Sequence, residues 1–597
     1  MTRHRQTRKA SGDRPHKPRI VRSTRLAHVI PYTTASQILG RAVSAADLIA
    51  RIATYSWVKS LFAIAQLSSL VIREGPTSET VRQATTDQLL RLTGRNTAPL
   101  KFIQEYVASH RGETTVAHEE VLAYLAHVVI LYGGEGEEGP APPETALWLL
   151  AANDFLDHWT MGDSRVLSSA EELIATGAHS LRFNNDPDRF SAFARTFQLL
   201  STRPQRGRLA DDSAWKRLQE EAFGCEFREY FESFLAPLIL KSLLWGKETG
   251  PEGLPVVSRQ QLFSQTNLAQ ETVDRLLSGL GQDREDLRSS INRRLRPDGL
   301  PQAPTALYHS PLVRTDADRL VVPIPWALDT QLRSGMWARL LRAAKTLYGD
   351  RLGGNIWNST FGDAFEEWCR VMAKAAFSDG EARGTLILPS SPGATDEIED
   401  VVIVDGNAAV LFSAKSRFVA ENVARHAQSR SGIVDWYDNF FFGVATEDHR
   451  AGAIHLLSKR IDRIRAGEFE ATIPRTTRLI PVLLTYDSLC EDILLYRWIE
   501  TRCRKLDLLQ QWRVAPLTIA RVDQFERLMS FCASGGRLIP LLRQRETHWR
   551  HRRLDQMLEE TLPKDIPLRL PVIDRQFDEV LSGLGTRLFG TPLRRQR

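Results

Sequence analysis

Between positions 396 and 417 the chain reads Asp396-Glu397-Ile398-Glu399-Asp400-Val401-Val402-Ile403-Val404-Asp405-Gly406-Asn407-Ala408-Ala409-Val410-Leu411-Phe412-Ser413-Ala414-Lys415-Ser416-Arg417. Two apolar runs flank Asp405-Gly406, one of the strongest local signals for a β-hairpin, because glycine accepts the positive φ of a tight two-residue turn. Folding the chain there carries Asp400 back beside the Phe412–Lys415 end of the second run. An acid and a lysine then meet at one end of a sheet, with the turn type deciding which residues lie directly opposite. The second run is almost continuously apolar, as expected of a strand covered on both faces.

The surroundings extend this pattern. Strands are expected at 385–388, 401–404, 409–414, 479–485 and 517–520, alternating with helical periodicity, which argues an α/β domain over 346–535. Upstream of the hairpin, Phe365, Cys369 and Met372 recur at helical spacing. Glu366 sits beside that apolar stripe, so it can lie along the sheet end. After the last strand, Asp523 and Glu526 have the spacing of a capping box. Residues 31–310 read as helical, with a joint at 133–143 where glycine and proline cluster. A short β-hairpin plus helix connector is expected over 311–345, the helix running from Trp326 to Leu347. A basic segment follows at 536–597, in which 548–553 reads as a basic surface helix.

Charge is unevenly placed. The chain of 597 residues carries a formal +6, yet residues 1–25 hold nine Lys/Arg against Asp13 alone, leaving the remainder slightly acidic. Residues 1–30 are therefore expected to be a disordered basic arm, suited either to nucleic-acid phosphates or to solubility alone. The five cysteines (Cys225, Cys369, Cys490, Cys503 and Cys532) form no CxxC pair. That argues against a disulfide framework or zinc ribbon and for a reducing cytoplasm. No apolar run reaches membrane-spanning length, and no P-loop, dinucleotide fingerprint, HExxH or GxSxG motif stands out.

An acid and a lysine at one sheet end suit phosphodiester hydrolysis. Magnesium prefers hard oxygen donors: Asp400 can supply a carboxylate, the Ala414 carbonyl a second ligand, and Glu366 can hold a metal-bound water. The metal polarises the phosphate and acidifies bound water, while Lys415 orients that water or offsets developing charge.

With the helix bearing Glu366, the strand at 385–388, the hairpin bearing Asp400 and the motif Ser413-Ala414-Lys415, the chain resembles the PD-(D/E)xK (restriction-endonuclease-like) nuclease superfamily over roughly 345–530. The resemblance implies an α/β/α restriction-endonuclease-like domain with a mixed central sheet; with the helical periodicity before it, the chain is expected to be α + α/β, a large all-α N-terminal region followed by that domain. It also implies a magnesium-dependent endonuclease, with manganese as substitute cation, whose substrate is nucleic acid, DNA being favoured. One departure stands out. Where the family has an acid two residues before the lysine, this chain has Ser413. Some members recruit a glutamate from the next helix, which makes Glu421 the expected replacement and fourth site residue. The expected setting is defence against foreign DNA, with protein partners meeting the helical N-terminal region. The alternative is a nucleic-acid-binding or assembly protein that keeps the fold without catalysis.

Overall fold

The computed structural model describes Ala35 and residues 42–74, 117–161, 189–242, 255–258, 270–293, 295–301, 306–316, 318–378, 381–389, 398–416, 430–444, 451–489, 493–563, 566–567 and 569–593. The basic arm over 1–30 and Glu421 lie outside these residues. Helix predominates, with two small sheets, one of four strands and one of five. Among the described residues no helix is long and apolar enough to cross a membrane.

The five-stranded sheet comprises β5 (Thr385–Ile387), β6 (Val401–Asp405), β7 (Ala408–Lys415), β8 (Arg478–Thr485) and β9 (Thr518–Arg521), in that spatial order. All five match strands expected from the sequence. The β5–β6 and β6–β7 pairs are antiparallel, and β7–β8 and β8–β9 are parallel, so the sheet is mixed. The hairpin turn falls one residue later than the Asp405-Gly406 signal suggests. Asp405 already pairs with Ala408, which leaves Gly406 and Asn407 as the two central residues. Gly406 has φ +62° and Asn407 is not left-handed, the pattern of a type II′ turn.

β7 is the central strand, and every residue from Ala408 to Ala414 is buried. Alternation sends Val410 and Phe412 to one face and Ala409 and Leu411 to the other. On the first face lie α6 (Asp350–Phe377), through Phe365, Cys369 and Met372, and α10 (Val522–Ala533), whose Phe525 ring meets Phe412 edge-on at 5.2 Å. On the second face lie α7 (Arg430–Phe442), α8 (Ala453–Ala466) and α9 (Ile493–Lys505), through Tyr437, Phe441, Leu457, Ile461 and Ile499. The result is three layers, helix, sheet and helix. α5 (Gly335–Tyr348) turns back into α6 over a single residue, Gly349, at φ +84°. A Cβ on Gly353 would lie 2.1 Å from the Ala344 carbonyl oxygen, so only glycine allows this close crossing.

The four-stranded sheet corrects the reading of the first half. β3 (Leu312–Arg314) and β4 (Arg319–Val321) form the expected antiparallel hairpin. It is extended by β1 (Val256–Ser258) on one side and β2 (Gly281–Gln282) on the other, both inside the region expected to be all-α. These strands are too short to show periodicity, and a Gly-Gln pair becomes a strand only because Leu312 and Val313 lie alongside it. Leu312 and Leu320 face the core shared with the large sheet. Val313 and Val321 face a second core built from α1 (Trp57–Glu74), α2 (Glu119–Tyr132) and α3 (Pro142–Met161). The hairpin is thus a wall between two cores. The helix expected over 326–347 is broken after Leu332 and resumes at Gly335.

The C-terminal stretch is also more than a basic segment. α11 (Pro571–Phe589) buries Ile573, Phe577 and Val580. It packs on α4 (Arg189–Ser201), with Phe577 4.8 Å from Phe190 and 6.0 Å from Phe193 between ring centroids. Residues 547–550 form a turn rather than a helix. There Trp549 is buried, and Arg550 and His551 both bond Glu500, at 3.0 and 3.1 Å.

Candidate active site at the carboxyl end of the large sheet

The parallel strands β7, β8 and β9 end together: Lys415 lies opposite Thr485, and Thr485 opposite Arg521. Because β6 runs antiparallel to β7, its start reaches the same end. Val401 pairs with Phe412, so Asp400 falls beside Ser413. The carboxyl end of parallel strands is where α/β sheets offer unpaired backbone groups and a crevice for ligands.

Asp400 is 4% exposed, and its Oδ2 accepts a hydrogen bond of 2.7 Å from the Ala414 amide. Lys415 is half-buried, and its Nζ donates to the Ala414 carbonyl at 2.9 Å. The two sides of one peptide residue therefore carry the acid and the lysine. The carbonyl keeps a second lone pair for another partner.

Glu366 reaches the same end from α6. Burial first, and then the Asp400 carboxylate, push its carboxyl up to about 7, against the pull of Lys415 and Arg370. Arg370, one turn later, is almost wholly buried, with Nη2 3.6 Å from Glu366 Oε2. Its Nε and Nη2 make no hydrogen bond among the described residues. Beneath them, Cys369 has its thiol raised by burial and by the neighbouring carboxylates, which disfavours the reactive thiolate.

Sequence reasoning missed Glu399. It is 6% exposed, and its carboxyl is pushed up to about 8 by burial and then by Asp400, against the pull of Lys415 and Arg460. Its signal was the second acid of Glu399-Asp400, hidden because one acid suffices for the motif. Asp400, Lys415, Ala414 and Glu366 are thus brought together, and Glu421 lies outside the described residues. Among the described residues no group of three or more His, Cys, Asp or Glu is already drawn into a metal-holding arrangement.

Asp523 and Glu526 are not a capping pair. α10 starts two residues earlier than that pairing requires, with Arg521 as N-cap, and Gln524 Oε1 accepts from the Arg521 amide at 2.8 Å. Asp523 instead bonds the Arg521 guanidinium at 3.0 and 3.1 Å, and the surrounding arginines hold its carboxyl below the usual range.

The raised carboxyls fix a pH dependence. Glu366 and Glu399 bind protons more tightly folded than unfolded. Their contribution to stability is therefore complete below the ordinary carboxylate value and is lost as pH rises through about 7 and about 8. His118 and His127, buried and lowered to about 3 and about 4, contribute stability that is present above their ordinary value and lost only on acidification. From about pH 6.5 to 8 in chelator, above the range where the buried histidines act, the melting midpoint should fall, and Glu399→Gln, which mimics the neutral acid, should flatten that fall. Calorimetry across this window checks it; equal slopes in the two proteins would refute it.

Comparison with known proteins, by family description, by curated sequence and by solved structure, finds no match to this chain.

Proposed function

We propose that this protein is a metal-dependent nuclease of the restriction-endonuclease-like kind, hydrolysing phosphodiester bonds in nucleic acid with DNA as the favoured substrate. The observation that carries the reading is the tie through Ala414, which fixes Asp400 and Lys415 at one end of the central strands. Further support comes from the order of elements: helix α6, the antiparallel meander β5–β6–β7, helices, then the parallel strands β8 and β9. That order supports the reading of the domain as restriction-endonuclease-like.

The donor set fits a hard divalent cation. Asp400, Glu366 and the Ala414 carbonyl offer oxygen ligands at one sheet end. Bound there, magnesium or manganese would polarise the phosphate and acidify a water. The chain's own groups do the rest. Lys415, anchored on the Ala414 carbonyl, places its ammonium where charge grows on the phosphate oxygens. Glu366, at the same sheet end, would hold the cation or a water bound to it. The setting in defence against foreign DNA is a reading from architecture, a large helical region joined to a nuclease-like domain.

Ser413, in place of an acid, favours the second reading, a nucleic-acid-binding protein without catalysis. One experiment separates them: purified full-length protein with supercoiled plasmid, single-stranded DNA or RNA, with magnesium or manganese. Cleavage should appear and should drop about a hundredfold in Lys415→Ala, the cost typical of removing one transition-state donor. Binding without cleavage by the wild type, in either metal, would leave the second reading standing.

A further inference from the structure

We propose that a cleft near the amino end of the large sheet, built around the guanidinium of Arg545, is a binding site for a phosphate group. The cleft is separate from the candidate active site, and the inference stands whether or not the chain is a nuclease. Ile480, near the start of β8, forms part of its wall, whereas Thr485, five residues further along that strand, lies opposite Lys415. At about 3.3 Å per residue the two places are on the order of 16 Å apart, so the group bound here is not the one cleaved there.

Arg545 belongs to the helical turn Gln544–Glu546 and is 5% exposed. Its guanidinium lies over the Tyr496 ring, 5.0 Å from the centroid. The ring occupies a face of the planar group and leaves its in-plane N–H donors for other partners. Nε and Nη1 are buried and make no hydrogen bond, and among the described residues Arg545 has no ion pair. Folded proteins leave few buried donors unmade, and a buried cation without a counter-charge is costlier still.

Two carboxylates line the same cleft, yet other cations hold both. Glu546 pairs with Arg478, and Glu500 meets Arg550 at 3.0 Å, His551 at 3.1 Å and Arg504 at 3.6 Å. Arg545 is left as the uncompensated charge, which calls for an anion from outside the chain. The cleft holds about 320 Å³ of empty space counting its open mouth, and its enclosed part has room for roughly one water-sized group. A phosphate suits that shape. One charged oxygen can enter and take charge-assisted hydrogen bonds from Arg545, while the remaining oxygens stay toward Arg550 and His551, which line the same cleft.

The test is titration of full-length protein, in chelator, with inorganic phosphate, adenosine monophosphate, a short DNA duplex and acetate. Calorimetry and the melting midpoint are read on wild type, Arg545→Met and Glu500→Gln. Phosphate should bind the wild type and raise its midpoint, as a ligand of the folded state does. Arg545→Met should bind phosphate at least about tenfold more weakly, since hydrogen bonds to a charged group are lost. Without phosphate this variant should melt no lower than the wild type, because it removes a buried unpaired charge. Glu500→Gln removes a repelling carboxylate and frees Arg550, so it should bind phosphate a few-fold more tightly, a gain that a purely structural Arg545 would not produce. Acetate should not bind measurably. A matching loss of duplex binding in Arg545→Met assigns the phosphate to a nucleic-acid backbone, and a loss for adenosine monophosphate alone assigns it to a free nucleotide; either supports the site. Equal phosphate binding by wild type and Arg545→Met overturns the inference, as does acetate binding as tight as phosphate. A wild type that responds to none of the phosphate probes also overturns it and leaves water as the partner of Arg545. Should Arg545→Met fail to fold, Glu500→Gln decides, and no gain in phosphate affinity there sinks the proposal.

Discussion

Asp400→Asn is expected to reduce metal-dependent cleavage by at least about a thousandfold while leaving the melting midpoint nearly unchanged. The two halves of that expectation have separate causes. The fold survives because Asp400 serves the sheet as a hydrogen-bond acceptor, taking the Ala414 amide at 2.7 Å, and an asparagine carbonyl can accept the same bond. Its neighbours Glu399 and Glu366 both feel the Asp400 charge as unfavourable, so losing that charge relieves repulsion inside a buried cluster. Activity is lost because the substitution removes the one anionic oxygen donor that the β-hairpin fixes beside Lys415. A metal contributes several kcal/mol of transition-state stabilisation, and each 1.4 kcal/mol is tenfold in rate. Cleavage kinetics at saturating manganese, with a melting curve on the same preparation, check both halves. Near-normal cleavage by a pure, folded Asp400→Asn protein would place the active site elsewhere in the molecule.

The site could be glimpsed in the sequence because its parts belong to the most legible kind of structure. β6 and β7 are apolar runs punctuated by a turn glycine, and β8 is a buried parallel strand that reads as an almost continuous hydrophobic stretch. Asp400 and Lys415 sit at the ends of such runs, where a polar residue is conspicuous. The turn shifted by one residue because Asp405 still pairs across to Ala408, a choice that belongs to the ladder rather than to the dipeptide. Illegible features depend on partners far away in the chain. β1 needs β4, and β2 needs β3, before either is a strand. Asp523 and Glu526 have capping spacing, yet Glu526 is claimed by Arg195 from far up the chain and Asp523 by its neighbour Arg521. Glu399 is buried beside Asp400 at the sheet end, which is visible only once the hairpin is folded.

Glu526→Ala should be the most destabilising single change around the site, at about 3–5 kcal/mol. Arg195, on α4, is 2% exposed, and its Nη1 donates to both oxygens of Glu526 at 2.7 and 2.8 Å. The indole of Trp368, on α6, donates to the same carboxylate at 2.8 Å. One acid on α10 therefore ties the first half of the chain to the helix that carries Glu366. Removing it takes the bidentate ion-pair partner from a buried guanidinium and leaves a buried indole N–H without that acceptor, and both losses carry a desolvation cost. Asp523 lies within electrostatic reach of Arg195, which places the expected value toward the lower end of the range. An apparent midpoint lower by about 10 °C follows if each kcal/mol is worth a few degrees in a cooperative unit of this size. The paired change Arg195→Met with Glu526→Leu should recover most of that loss, since well-packed apolar residues often replace a buried ion pair at little cost. If the double variant melts as low as Glu526→Ala, the damage comes from lost packing and not from an orphaned charge. If it recovers stability but cleaves poorly, the pair's value lies in how α6 is set against the sheet. Glu366 sits two residues before Trp368 on that helix, so a small rotation there would carry its carboxylate away from Asp400 and Lys415.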